Sequence, residues 1–167
     1  MDTPAPAIGI RPATPGDEAA LGRYGGALMR QHHAFDPERF ITTSDPEHGY
    51  GRFLVSQIGE PETIVLVAER TGNVIGYVYA SLEPMSWKEL RAACGFIHDV
   101  YVDEAARGQR AGERLVHAAI AWLEAHGAPR VVLQCAARND TAQRLFGHLG
   151  FRRTMVEMTR EARSRGE

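Results

Sequence analysis

The sequence predicts a mixed α/β fold, in which helices cover both faces of a mixed, mostly antiparallel sheet. Three observations support this prediction. Apolar runs of strand length alternate with segments of helical periodicity along the chain. Two of the strands are joined by a tight turn, which makes that pair antiparallel. Two others flank a single amphipathic helix, and such a crossover makes a parallel pair.

Composition limits the class of protein. The chain has 167 residues, of which 44% are hydrophobic and 24% charged, and the formal net charge is −2. We expect a single domain over 8–162, a disordered tail at 1–7 and a short tail at 163–167. The charge gives no electrostatic reason to expect nucleic acid or an anionic membrane as partner. Without a signal-peptide pattern or an apolar run of membrane-helix length, a cytoplasmic protein with Cys94 and Cys135 reduced is expected.

Turn and strand signals alternate in the N-terminal half. Thr14 precedes Pro15 and Asp17, a pattern typical of a helix start. Thr71-Gly72-Asn73 separates two apolar runs and is typical of a hairpin turn. The expected elements are a strand at 8–14, helices at 15–33 and about 48–58, and strands at 63–70 and 74–84.

The C-terminal half has the pattern of a strand–helix–strand unit and one further helix. Apolar residues recur at helical spacing between 111 and 126, and Gly127 follows as a typical helix end. Asn139 and Asp140 are typical of the start of the second helix, which Gly150 ends. The expected elements are strands at 95–102, 130–137 and 151–161, and helices at 111–126 and 139–150.

The segment ARGQRAG, 106–112, precedes a predicted helix and has anion-binding chemistry. Free N–H groups at a helix start lie at the positive end of the helix dipole. Gly108 and Gly112 allow tight turns and close approach, and Arg107 and Arg110 add positive charge. The segment matches neither a P-loop nor a dinucleotide-binding pattern. Two interpretations stay open: a phosphate cradle in which Arg110 stands where glycine would suit, or a basic turn.

Two sequence motifs lie on the predicted strands and helices of the C-terminal half. An apolar triplet, Val100-Tyr101-Val102, ends a strand and is followed by [RQ]-x-x-G-x-[GA] from Arg107 to Gly112. The second motif, N-x-x-A-x-x-[LF]-[YF]-x-x-x-G-F, is matched by Asn139, Ala142, Leu145, Phe146, Gly150 and Phe151. Together, and at this separation, the motifs resemble those of the GNAT superfamily of acyl-CoA-dependent N-acetyltransferases. The order of elements agrees with that superfamily from about 8 to 162, so the resemblance implies a GNAT fold with one parallel, splayed strand pair.

The resemblance implies an acyltransferase that uses acetyl-CoA as co-substrate and needs no metal. The CoA pyrophosphate would lie on N–H groups of the loop. The pantetheine would insert between the splayed strands and pair with the backbone. The implied cofactor-binding residues are Val100, Tyr101, Val102, Arg107, Gly108, Gln109, Arg110, Ala111, Gly112, Asn139 and Phe146.

Direct attack of an amine on the thioester needs a proton acceptor, and His98 is the favoured catalytic candidate. It lies two residues before the apolar triplet, where some members of the superfamily carry a glutamate. Imidazole can be neutral at cellular pH. Strict alternation along a strand predicts that His98 points away from Asp99, the second candidate. Structural roles stay open for both: capping a backbone group for His98, and orienting a loop for Asp99.

Phe146 departs from the pattern of the superfamily, because many members have a tyrosine there that protonates the leaving thiolate. Water or the substrate ammonium is the favoured replacement as proton donor. Tyr101 or Tyr79 is a second explanation, and a weak enzyme is the third. The last keeps open a non-enzymatic alternative, an acyl-CoA-binding sensor or interaction module.

The acceptor is expected to be a primary amine, with a small molecule favoured over a protein N-terminus or lysine. In this superfamily the acceptor site usually involves the first two helices and the loop at 84–94. Ordinary surface exposure or packing is the alternative for each candidate there. Met155, Val156 and Met158 in the expected last strand raise the alternative of a homodimer edge, which strand alternation explains equally well. The acceptor-site candidates are His32, His33, Asp36, Glu38, Glu83, Glu89, Phe35 and Trp87.

Overall fold

The computed structural model describes residues 7–162 as one mixed sheet with helices on both faces. Residues 1–6 and 163–167, which contain most of the expected tails, lie outside the described residues. Within 7–162, no helix is both long and apolar enough to cross a membrane. The elements are β1 (Gly9–Pro12), α1 (Glu18–Phe35), α2 (Pro46–Ser56), β2 (Thr63–Arg70), β3 (Asn73–Glu83), β4 (Cys94–Val102), α3 (Ala111–Ala125), β5 (Val131–Leu133) and α4 (Asp140–His148), with short 3-10 helices at Pro15–Asp17 and Glu104–Ala106.

The strands lie side by side in chain order, from β1 to β5. The pairing of β4 with β5 is parallel and the other three are antiparallel, which confirms the predicted fold class. The hairpin strands, β4 and α3 begin and end within a residue of their predicted bounds. Local patterns were sufficient there because tight turns and helical spacing are encoded over short stretches of sequence.

Each face of the sheet carries its own apolar core. On one face, α3 buries Leu115 and Leu123 against the sheet. On the other face, α1 and α2 bury Leu21 and Leu54 next to Tyr77 of β3. The continuous apolar run of β3 follows from burial on both sides.

Two glycines allow α1 and α2 to pack closely. A Cβ on Gly22 would lie 2.4 Å from the carbonyl oxygen of Glu47, so a larger residue would push the helices apart. A Cβ on Gly25 would lie 2.3 Å from the Tyr50 ring. Gly25 therefore leaves the space in which Tyr50 of α2 packs across α1 toward β4.

The last part of the chain differs from the sequence prediction. The strand expected at 130–137 pairs with β4 over only three residues, and the segment 151–161 forms no strand. Met155, Val156 and Met158 are 83%, 80% and 88% exposed. Because Met155 and Val156 are adjacent, a strand would have turned them to opposite faces. The short β5 also offers little edge for pairing. The expected final strand is therefore wrong for the part of the chain that the structure describes, and the homodimer stays a prediction without this strand to support it.

Candidate active site

The parallel strands β4 and β5 separate soon after they pair. Their pairing ends at Ile97 and Leu133, where β5 stops while β4 continues to Val102. The edge of β4 beyond Ile97 therefore faces a gap. This separation of β4 from β5 is the splayed strand pair that the resemblance implies.

The backbone groups of Val100 and Val102 face this gap. Asp103 N donates to Ile75 O of β3 at 2.8 Å. Because alternate residues of a strand turn their N–H and C=O groups to opposite edges, Val100 and Val102 turn theirs away from β3. The Arg107 guanidinium donates to Val102 O at 3.3 Å from that side. These backbone groups are positioned to pair with amides of an extended ligand.

A bulge in β4 turns His98 and Asp99 to the same face. Tyr79 of β3 pairs with Asp99 and the next residue of β3 pairs with Ile97, so His98 is the extra residue of the bulge. The Tyr79 ring stacks on His98 with centroids 4.9 Å apart. Tyr77, on the same face as Tyr79, donates to Asp99 at 3.1 Å. The predicted opposite orientation is therefore wrong, because the bulge interrupts strand alternation.

A cavity of about 290 Å³ lies between the separated strands and α1. His98, Asp99 and Val100 line it from β4, and Asn139 and Phe146 line it from the start and middle of α4. Five predicted site residues from two distant motifs thus meet in one place. The cavity is also lined, from α1 and the segment after it, by Leu28, Met29, Gln31, His32, Phe40 and Ile41.

Asp99 is the one acidic residue that lines this cavity within residues 7–162. Burial raises the pKa of Asp99 to about 6, while the hydrogen bond from Tyr77 and the nearby His32 act in the opposite direction. Such a carboxyl is mostly ionised at neutral pH and can bind a cation or accept a proton. Burial, followed by the charge of Asp99, raises the pKa of Tyr50, so this neighbouring hydroxyl stays protonated.

His98 is oriented by Ser81 and Glu83. The Ser81 hydroxyl donates to Glu83 Oε1 at 2.7 Å, and its oxygen lies 2.7 Å from His98 Nε2. Because a hydroxyl has one proton, Nε2 donates in this contact and Nδ1 is the unprotonated nitrogen. The ring stacks between Tyr79 and Phe96, with centroid distances of 4.9 and 4.7 Å. Burial lowers the pKa of His98 below 6.5, against the effect of Glu83, so the ring is neutral at cellular pH.

The segment from Arg107 to Gly112 forms a tight turn at the N-terminus of α3. Gly108 and Arg110 have positive φ angles of 77° and 62°. A left-handed residue followed by a right-handed helical one, as at Arg110 and Ala111, brings successive N–H groups to one side, which makes an anion-binding concavity. Ala106 and Ala111 are buried and anchor the ends of the turn. The first N–H groups of α3 add to this arrangement, which favours the phosphate-cradle interpretation.

The side chains of this turn contact other protein groups. Arg110 makes hydrogen bonds of 2.8 and 2.7 Å to Glu113, and Gln109 accepts a hydrogen bond from Arg70. The backbone of Arg110 is strained, because left-handed φ values favour glycine. The turn therefore offers its N–H groups, rather than its side chains, to an anion.

Two aromatic candidates lie away from the cavity. The Tyr101 ring stacks on Tyr24 at 5.8 Å in the core covered by α1, and its backbone pairs with Tyr77 of β3. Neither part of Tyr101 is directed at the gap, contrary to its expected cofactor contact. Trp87 is 80% exposed, so it neither walls the cavity nor packs in the core.

The side of the cavity toward α1 and α2 is built mostly from residues that the sequence did not identify. Of the polar candidates His32 lines it, whereas His33 turns to Phe40 O at 2.8 Å. Tyr50 and Ile41 were missed, because only the packing of α1, α2 and the segment between them brings these residues to β4. The one sequence feature that could have identified Ile41 is that it is a large apolar residue in a polar segment.

Comparison with known proteins agrees with this geometry. A family model described as the Acetyltransferase (GNAT) family matches residues 27–151. An uncharacterized N-acetyltransferase of Bacillus subtilis (strain 168), YhfO, is 29% identical over 146 residues, which are 86% of this chain and 89% of that protein. A mycothiol acetyltransferase of Cellulomonas flavigena is 30% identical over 92% of this chain, which spans only 43% of that protein.

Solved structures show the same fold at low sequence identity. A mutant of the BH1408 protein from Bacillus halodurans has a TM-score of 0.80 and 22% identity, over 92% of this chain and 98% of that one. The aminoglycoside N-acetyltransferase AAC(6')-Iy in complex with CoA has a TM-score of 0.71 and 16% identity, over 98% and 100% of the two chains. Together with the family model, which spans most of the chain, these findings show that the chain belongs to the Acetyltransferase (GNAT) family.

Proposed function

We propose that the protein transfers an acetyl group from acetyl-CoA to a primary amine by direct attack in a ternary complex. The observation that carries this proposal is the cavity at the open end of the parallel strand pair. There, backbone groups at the edge of β4 lie next to His98 and Asp99, two side chains that can accept a proton. An extended thioester can reach the cavity through the gap between the strands, and an amine can reach it from α1.

The turn at 107–112 and the gap suit the two polar parts of acetyl-CoA. N–H groups of the turn and of the first turn of α3 suit the pyrophosphate. The outward backbone groups of Val100 and Val102 suit the pantetheine amides. One of the similar structures was determined with CoA, which supports this choice of co-substrate.

In the proposed reaction, Asp99 binds the acceptor in its ammonium form. His98 accepts one proton of this ammonium at Nδ1, and Ser81 and Glu83 stabilise the imidazolium through Nε2. The neutral amine nitrogen then bonds to the thioester carbonyl carbon, the C–S bond breaks, and the nitrogen loses a second proton. The N–H of Val100 faces the gap and stabilises the carbonyl oxygen as negative charge develops on it.

The thiolate of CoA takes its proton from water or from the acceptor's ammonium. Phe146 cannot supply one, and its ring packs on Phe151 with centroids 5.8 Å apart. The Tyr101 ring lies in the core, and the Tyr79 hydroxyl donates to Gln57 at 3.1 Å. A thiol has an ordinary pKa of about 8.5, so the thiolate can leave without a dedicated acid.

We favour a small-molecule acceptor over a protein amine. The cavity of about 290 Å³ is at the lower limit of pockets that hold small ligands. The aminoglycoside acetyltransferase among the similar structures acts on a small amine by its name, which is consistent with this choice.

The test measures thiol release from acetyl-CoA with a panel of amines, for the wild type and the His98→Gln variant. Loss of the proton acceptor should lower kcat about 10²- to 10⁴-fold while CoA binding persists. His48→Gln changes an exposed histidine of α2 and should leave the rate unchanged. CoA binding without thiol release for any amine would instead indicate the acyl-CoA-binding sensor.

A further inference from the structure

The acceptor side of the cavity is largely apolar. Leu28 and Met29 of α1, together with Phe40 and Ile41 of the following segment, form one wall, and Tyr50 of α2 adjoins them. Ile41 is 75% exposed although it lines the cavity. Its side chain therefore lies at the mouth, where it presents apolar surface to an entering molecule.

The lining of this cavity contains an acid but no strong base among the residues that the structure describes. Among the residues that the structure describes, Asp99 is the one carboxylate that lines it, and no lysine or arginine does. His32 Nδ1 donates to Leu28 O at 2.9 Å, so this nitrogen is occupied within α1. A carboxylate or phosphate on the acceptor would therefore find no lysine or arginine partner in the lining and would face Asp99. Burial of an unpaired charge is costly.

The apolar wall is fixed before a ligand binds. Phe40 N donates to Asp36 O at 3.0 Å, and His33 Nδ1 donates to Phe40 O at 2.8 Å. The Phe40 ring also packs edge-on against His32, with centroids 5.0 Å apart. A preformed wall reduces the ordering cost of binding and makes its shape selective.

We propose that the acceptor is a small primary amine with one positive charge, an apolar body and no carboxylate or phosphate. This inference rests on the proposed function, because it concerns the acceptor of that same site. The ammonium pairs with Asp99, and the body packs against Phe40, Ile41 and Tyr50. A second ammonium would find no second carboxylate, and sugar hydroxyls would lose their hydrogen bonds to water at an apolar wall.

Calorimetric titration of amines, with and without saturating CoA, tests the inference. The decisive pair is 2-phenylethylamine and phenylalanine, which share the ring and the amine but differ in the α-carboxylate. We expect 2-phenylethylamine to bind at least about tenfold more tightly than phenylalanine, glucosamine or spermidine. Equal or tighter binding of any of these three would overturn the inference.

A charge placed in the wall provides a matched variant. Gln31→Arg adds a cation to the cavity lining and should reduce the preference over phenylalanine by about threefold or more, because the carboxylate gains a partner. Ala121→Arg adds the same charge on the exposed face of α3 and should leave the preference unchanged. An unchanged preference in Gln31→Arg would overturn the charge argument.

The binding measurement separates this inference from the proposed function. Tight binding of 2-phenylethylamine without thiol release from acetyl-CoA would contradict acetyl transfer and support the inference about the ligand. Thiol release that is fastest with phenylalanine would support acetyl transfer and overturn the inference.

Discussion

The turn at 107–112 and the cavity, which we propose as the sites of cofactor and acceptor, lie at either end of one short stretch of chain and offer different binding groups. In the turn, Gln109 and Arg110 are engaged with protein partners, so the backbone N–H groups are left for an anion. In the cavity, the proposed chemistry depends on the side chains of His98 and Asp99, which both line it. Side-chain substitutions in the turn should therefore change CoA binding little. Side-chain substitutions in the cavity should strongly reduce acetyl transfer.

The largest effect is expected in the cavity, where the ionised carboxylate of the partly buried Asp99 lowers the free energy of unfolding. Its pKa is about 6 in the folded protein against an ordinary value of 3.8, so the folded state binds more protons between these values. The stabilising effect is complete below the unfolded pKa and is lost as pH rises through the folded pKa. The free energy of unfolding should fall by roughly 3 kcal/mol across this window.

Chemical denaturation of the wild type and Asp99→Asn across this pH range checks that prediction. The Asn variant cannot ionise, so it should lack the fall and be more stable than the wild type at pH 7. Glu38→Gln removes an exposed carboxylate and serves as the control that keeps the wild-type pH profile. A variant that is less stable than the wild type at pH 7 would show that Asp99 stabilises the fold.

The same substitution should weaken the acceptor's binding. Asp99→Asn removes the charged partner of the ammonium, and a charge-assisted hydrogen bond of this kind corresponds to about 10- to 100-fold in affinity. We expect the amine KM to rise by that factor and the CoA Kd to stay constant. Steady-state kinetics with the amine varied at saturating acetyl-CoA measures both kcat and KM. If kcat fell while the amine KM did not change, Asp99 would be the proton acceptor in place of His98.

The smallest effect is expected in the turn, where the backbone of Arg110 is strained. At a φ of 62°, glycine is preferred over a residue with a Cβ. Arg110→Gly and Arg110→Ala both remove the ion pair with Glu113, but only the Gly variant relieves the strain. The Gly variant should therefore melt about 2–4 °C above the Ala variant. Equal melting temperatures would contradict the left-handed backbone at this position.

The turn and the start of α4 could be predicted from the sequence because their signals are local. Asn139 caps α4 through its side-chain oxygen, which accepts from Ala142 N at 3.1 Å, and that pattern is visible within four residues. Gly108 lies in the left-handed region, as a glycine in a tight turn is expected to. The helix that follows has a clear apolar spacing. These features place the cofactor turn without any knowledge of the sheet.

The cavity could not be predicted to the same extent because it depends on contacts between distant segments. The bulge at His98 depends on how β4 pairs with β3, and no residue type within β4 indicates it. The contribution of Tyr50 depends on the space left by Gly25. The segment at 151–161 has a strand-like composition but meets only a short β5, so composition alone was misleading there.

A CoA titration tests the central claim most directly, that a backbone-built cofactor site and a side-chain-built reaction centre are separate. CoA is titrated into the wild type and into the double variant His98→Gln, Asp99→Asn. Because the variant leaves the turn and the edge of β4 intact, both proteins should bind CoA with Kd values within about threefold. A Kd weakened more than about tenfold in the double variant, or no binding by the wild type, would contradict the account.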